Sequence, residues 1–286
     1  MLYLSNNKLR IGILDPEMDE QRLGSRYCRG CYIWQVESVA FGPLFSGPAY
    51  PESHPPVFDG QGIPDVFESA LGSEVARVGE PVHVIGVGDV LRSSAITPFH
   101  VRWNPTVVAS CQWAIGQKSD MVEMSTEAAF RGYGYHLTKR ITLDESGWTI
   151  RINIANTGSV PIPVRWFLHP FFPLNNRGIS CSLSLPLTIP DNPGFRCDGE
   201  HHITMIPAFD WKNGCYRTIS VPWNQPVSVT VEHPAVKSIT FKTSYGLSWL
   251  PIWANANTFS IEPFFTRFLI PGESGEWMVV FTMSEI

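Results

Sequence analysis

The chain has 286 residues, 44% of them hydrophobic and 16% charged, which excludes an intrinsically disordered protein and leaves enough apolar surface for a substantial core. A net charge of -5 with no basic cluster argues against nucleic-acid binding and against an anionic membrane surface, so a neutral or weakly polar partner is expected. No stretch reaches the roughly 18 apolar residues of a membrane span. The opening MLYLSNNKLRIGILDPEMDE lacks the basic start and apolar centre of a secretory signal, so a cytoplasmic protein is expected.

Twenty-three glycines and 24 prolines punctuate the chain, and no long helical periodicity survives between them. No linker or composition break divides residues 1–286, which predicts one domain. In chain order, CYIWQVESVAFGPLFSG reads as two strands about a turn, and residues 62–75 as a short helix or turn. The alternation is clearest over 133–172. Tyr135, Leu137, Ile141 and Leu143 share one parity, then Trp148, Ile150, Ile152 and Ile154, then Val160, Ile162, Val164, Trp166 and Leu168, with DESG and NTGS as turns. Period-2 patterning of this kind predicts an antiparallel meander of three strands. Pro161 and Pro163 predict an edge or irregular backbone at the start of the third strand. SCSLSLPLTI, VSVTVEH, VKSITFKTS, LSWLPIWA and EWMVVFTM continue the series. The expected fold is all-β, with two large antiparallel sheets packed face to face.

Six cysteines make a poor disulfide framework for this length, and Cys28 and Cys31 form a lone CxxC without a second pair at zinc spacing. Reduced structural thiols and no metal are expected. His201 and His202 are adjacent, so on a strand they point to opposite faces and cannot share a metal.

His169, in RWFLHPFFPL, falls on the parity opposite Ile162, Val164, Trp166 and Leu168. It therefore points away from a core built on that set, either as a strand-end histidine bonded to backbone or as a cleft residue. Glu262, in TFSIEPFF, lies opposite Phe259 and Ile261 and next to Pro263. A carboxylate among aromatics needs a partner, Arg267 being one choice.

The run YGYHLTKRITLDESGWTIRINIANTGSVPIPVRWFLHPFFPL, followed far downstream by FSIEPF, resembles the aldose 1-epimerase (galactose mutarotase-like) superfamily. GCYIWQVESVAFGPLFSGP and GQGIPDVFESA resemble the family's opening strands and glycine-proline loop. The resemblance implies a β-supersandwich with a concave sugar-binding face, a monosaccharide or related carbohydrate as partner, and no cofactor. It implies an aldose 1-epimerase-like isomerase in which Glu262 is the base and His169 the acid. An ordinary glutamate is an ionised acceptor at neutral pH, and its charge is expected to raise the pKa of a neighbouring imidazole. A non-catalytic carbohydrate-binding or sensing protein is the alternative, because fold alone does not choose between them. A glycoside hydrolase ranks last, since it wants paired carboxylates and only Glu262 stands out.

The family's earlier histidine has two candidates here, His83 in VHVIGVGDVLR and His100 in PFHVRW, with His83 preferred for catalysis and His100 for substrate binding. Gln61 stands where related loops carry an arginine, which argues against a phosphorylated sugar. Asp210 in PAFDWKNG is a candidate for a sugar hydroxyl or for a turn, and Trp253 for stacking on a sugar ring or for core packing. VGDVL is read as a tight turn toward a ligand or as sheet geometry.

Overall fold

The computed structural model describes residues 1–199 and 201–285. Its regular structure is almost entirely antiparallel strand. Among the described residues the helical pieces are three 3-10 turns, Glu20–Arg22, Val101–Trp103 and Trp211–Asn213, and no helix is long and apolar enough to cross a membrane.

One layer is a ten-stranded sheet. Its central strands are Tyr133–Leu143, Gly147–Asn156, Ser274–Ser284, Ser238–Thr243 and Ser228–Glu232, in that order. The alternating residues behave as their spacing requires: Leu137, Ile141, Ile150, Ile152, Trp277, Val279 and Phe281 are buried on one face. Across from them lies a second layer, made of three shorter sheets rather than one large one. These are Leu2–Ser5 through Gly42–Pro43, the three strands Phe264–Leu269, Ile162–Leu168 and Asp65–Phe67, and a third sheet containing Thr258–Ile261 and Leu250–Ala254. A single apolar cluster joins the layers. Phe45 meets Trp148 with ring centroids 5.9 Å apart, Trp166 meets Trp277 at 5.5 Å, and Phe172 stacks on Phe241 at 6.2 Å.

The expected three-strand meander is corrected. Tyr133–Leu143 and Gly147–Asn156 pair as predicted, but the far edge of the second strand takes the C-terminal strand, Trp148 opposite Phe281. Ile162–Leu168 crosses to the other layer and pairs with Phe264–Leu269. Asn156 makes the corner: its side-chain amide donates to the carbonyls of Val160 and Leu269 (2.9 and 2.8 Å) and its carbonyl accepts from Gly158 N–H at 2.9 Å. Pro163 is paired on one side only, since Asp65–Phe67 joins the other side no earlier than Trp166. An edge position is what a residue without an N–H tolerates. Residues 62–75 hold the strands Asp65–Phe67 and Ala70–Leu71 and then the expected turn over 72–75, with no helix, because Pro64 and the bonds to Trp166–Leu168 keep the first part extended.

Lys139 occupies a core position in the first strand, fully buried, where it pairs with Asp65. The second oxygen of Asp65 accepts from the Trp166 indole N–H at 2.6 Å. Burial is the largest single influence and pushes the lysine pKa down, but the charge and hydrogen bond of Asp65, together with the neighbouring Cys28 and Cys31, reverse it and hold the ammonium above the ordinary range. This ion pair ties the two layers directly beneath the strand that carries His169.

Candidate active site

Strand Ile162–Leu168 separates two apolar regions. Ile162, Val164, Trp166 and Leu168 enter the main core, while Phe167 faces a second cluster with Tyr27, Tyr32, Trp34, Phe171 and Phe264. His169 follows on that second side. Its backbone N–H donates to Pro64 O and that of Phe171 to Gly62 O, both at 2.8 Å, so the GIP loop acts as an irregular partner strand for HPF. Gly62 is needed for this: it has φ +75, and a Cβ there would sit 2.4 Å from the carbonyl oxygen of Trp34.

Glu262 arrives from the neighbouring sheet. Phe259 and Ile261 of its strand fill the main core, which turns Glu262 to the opposite face, and Pro263 ends the strand immediately afterwards. Its backbone N–H donates to Pro251 O at 2.9 Å. The two side chains meet: His169 Nε2 lies 3.3 Å from Glu262 Oε1, and the residues are 2% and 5% exposed. Arg267 faces Glu273 instead, at 3.9 Å.

The pair forms the floor of a cavity of about 580 Å³, walled by Phe58, Phe167, Phe171, Tyr216, Trp253 and Phe264, with Arg26, His100, Arg102, Lys212 and Asn255 among its polar lining. This is within the ~300–1,000 Å³ typical of small-molecule sites, and its rings are interspersed with charged and polar side chains. The imidazole is wedged between rings, 4.4 Å from Phe171 and 6.1 Å from Trp253 by centroid, and its Nδ1 is buried without a hydrogen-bond partner.

Burial sets the protonation of the pair. It pushes Glu262 up to about 8, against the opposing pull of Arg26. It pushes His169 well below its ordinary value, and Arg26 adds to the effect. The expected ionised carboxylate and raised imidazole are therefore corrected. Desolvation of each charge outweighs their mutual attraction, and the neutral acid beside neutral imidazole is favoured.

The remaining sequence candidates separate. Trp253 and His100 line the cavity. His83 lies outside it, in the sheet Ala70–Leu71 through Val107–Ser110, with Nδ1 2.7 Å from Asp89 and Nε2 2.8 Å from the Tyr135 hydroxyl. Asp210 is exposed and accepts from Lys212 N–H at 3.1 Å, capping the 3-10 turn Trp211–Asn213. Gln61 is buried against Trp34 O at 3.2 Å, away from the cavity. In VGDVL, Gly88 answers to sheet geometry, because a Cβ at its φ of +126 would meet Ala109 O at 2.1 Å. His201 and His202 have separate partners, Leu185 O at 2.9 Å and the Ser182 hydroxyl at 3.0 Å. Arg26, Arg102, Lys212 and Tyr216 had no recognisable sequence signal, since all come from loops or an exposed strand end.

No protein-family model matches the sequence, and no curated protein matches it. Solved structures do. A galactose mutarotase related enzyme from Lactobacillus acidophilus superposes with a TM-score of 0.61 at 12% identity, over 99% of this chain and 97% of that one. The chain has the galactose mutarotase-like fold. A galactose mutarotase-like protein from Clostridium acetobutylicum shares it at TM-score 0.57 and 11% identity, over 99% and 95% of the two chains. A candidate aldose 1-epimerase from Escherichia coli does so at 0.61 and 14%, over 99% and 98%. In this galactose mutarotase-like chain, the layer of shorter sheets is the one that presents His169 and Glu262 on its outer side.

Proposed function

We propose that the protein is an aldose 1-epimerase-like isomerase that interconverts the anomers of a sugar by proton exchange with Glu262 and His169. The observation that carries this reading is the buried 3.3 Å contact between a carboxyl group and an imidazole on the floor of a sugar-sized cavity. In the ring-closed complex Glu262 as carboxylate takes the proton of the C1 hydroxyl while His169 gives one to the ring oxygen. The bond between C1 and the ring oxygen breaks and an open-chain aldehyde results. Rotation about C1–C2 and the reverse transfers close the ring on its other face.

The pair holds one proton throughout. Before ring opening it is carboxylate and imidazolium; after opening it is carboxylic acid and imidazole. The second of these is the form that burial favours. The two forms differ only in where the proton sits, so turnover draws none from solvent. Each positioned acid or base typically contributes ~10²–10⁴-fold.

Trp253 offers an apolar face to the sugar. The test is polarimetry on freshly dissolved α-glucose and α-galactose, extended to charged aldoses. Acceleration by the wild-type protein and its loss in Glu262→Gln supports the isomerase. Sugar binding with no acceleration across the panel moves the assignment to a carbohydrate-binding or sensing protein, a reading favoured by the position of His83 outside the cavity.

A further inference from the structure

Arg26, Arg102 and Lys212 come from three distant segments, yet all line the one cavity. Among the described residues, none of the three has a carboxylate within ion-pair distance. Of the carboxyl groups in the lining, Glu68 is held by Arg165 at 2.9 Å and Glu262 belongs to the buried pair, which leaves Asp59. A chain of net charge -5 thus gathers three cations against one remaining carboxylate, Asp59, around its sugar-sized cavity.

The two guanidiniums flank the same ring. Arg26 lies 4.6 Å and Arg102 5.9 Å from the centroid of Phe58, and Arg26 also lies 4.8 Å over Tyr27. One N–H of Arg26 is spent on Phe58 O at 3.0 Å, so its plane is fixed and its other donors are free. His100 extends this donor set. Its Nδ1 accepts from the backbone N–H of Arg102 at 3.0 Å, which leaves the ring proton on Nε2. Like charges lining one cavity repel, an anion among them relieves the repulsion, and a guanidinium can present two parallel N–H bonds to a phosphate or carboxylate.

We infer that Arg26, Arg102 and Lys212 bind an anionic substituent of the sugar, so that the preferred substrate is an aldose bearing a phosphate, sulfate or carboxylate. The inference rests on reading the cavity as a sugar site, and it reverses the expectation drawn from Gln61. The cations come from other loops than the one that contains Gln61.

Calorimetric titration of the wild-type protein with anomerically equilibrated glucose, glucose 6-phosphate, glucose 6-sulfate and glucuronate tests it apart from turnover. At least one charged sugar is expected to bind tenfold or more tightly than glucose, with an advantage that shrinks as salt is raised. The arms identify which anion is preferred. Arg102→Gln, at an exposed position, is expected to narrow the gap severalfold. Equal or tighter binding of glucose overturns the inference, as does an advantage indifferent to salt. Binding of none of the four overturns it together with the assignment of the cavity. Tight binding of a charged sugar without anomer exchange sustains it and removes only the catalytic reading.

Discussion

His169 Nε2 and Glu262 Oε1 stand 3.3 Å apart although their strands belong to different sheets. Neither side chain could be placed there by its own strand alone. His169 is set by the GIP loop, which pairs with HPF, and Glu262 by the core residues Phe259 and Ile261, which turn it outward. Their meeting concentrates two buried ionisable groups at a cavity lined in part by rings.

Removing either group is expected to stop the chemistry while leaving the fold. Glu262→Gln and His169→Asn should each lower catalysed anomer exchange at least ~100-fold, since each deletes a positioned acid or base. Anomer-exchange NMR reads the rate, and near-UV circular dichroism reads the packing. Full activity in either variant would remove that residue from the mechanism.

The pH profile follows from the protonation of the pair. The one-proton form exists above the depressed pKa of His169 and below the raised pKa of Glu262. Activity should therefore fall as pH rises through about 8 and show no loss near the ordinary histidine value of ~6.5. Exchange rates corrected for the uncatalysed reaction at each pH decide the matter; an acid limb centred near the ordinary histidine value would contradict the buried pair.

Stability should carry the mark of the same group. The folded-state pKa of Glu262 lies above its unfolded value of 4.5, so its contribution is intact below 4.5 and is lost as pH rises through about 8. A shift of this size is worth a few kcal/mol, on the order of 1.4 per unit. Glu262→Gln should unfold at a higher denaturant midpoint than wild type at pH 9, with the gap closing toward pH 4. Equal midpoints at pH 9 would mean that the carboxyl is not desolvated.

Lys139 and Asp65 offer a test of the joint between the layers. Lys139→Met leaves a buried carboxylate without its cation and should cost ~3–5 kcal/mol. Replacing Asp65 by Asn in the same chain should recover much of this, because no buried charge remains and an amide oxygen can still accept from Trp166. Urea denaturation of the two variants measures the difference; a single variant as stable as wild type would show that the pair is not desolvated.

Asn156, in the NTG turn, satisfies three backbone groups at the corner where the chain changes layers. Asn156→Ala should cost ~1–3 kcal/mol, since the carbonyls of Val160 and Leu269 lose a donor and the N–H of Gly158 keeps only Gly134 O. Thermal unfolding checks it, a change under about 0.5 kcal/mol being too small for buried bonds.

Strand existence, the buried parity of Trp148 to Ile154 and of Trp277 to Met283, and the outward parity of His169 and Glu262 were all legible in the sequence. A strand shows its two faces to any reader through its period of 2, because successive side chains must alternate. Lys139 stands on the apolar parity of Tyr135 to Leu143, but its burial and its partner Asp65 came only from the packed structure. Which strands would pair was not legible. The strand after Asn156 crosses layers, and the edge it vacates is filled by residues 274–284, because hydrogen bonding between strands carries no local signature. Nor could the sequence assign the first-half histidine, recruit Arg26, Arg102 and Lys212 to one cavity, or set the protonation of Glu262. Those depend on which loops converge and how completely water is excluded, and burial is a property of the packed molecule that no single residue states in advance.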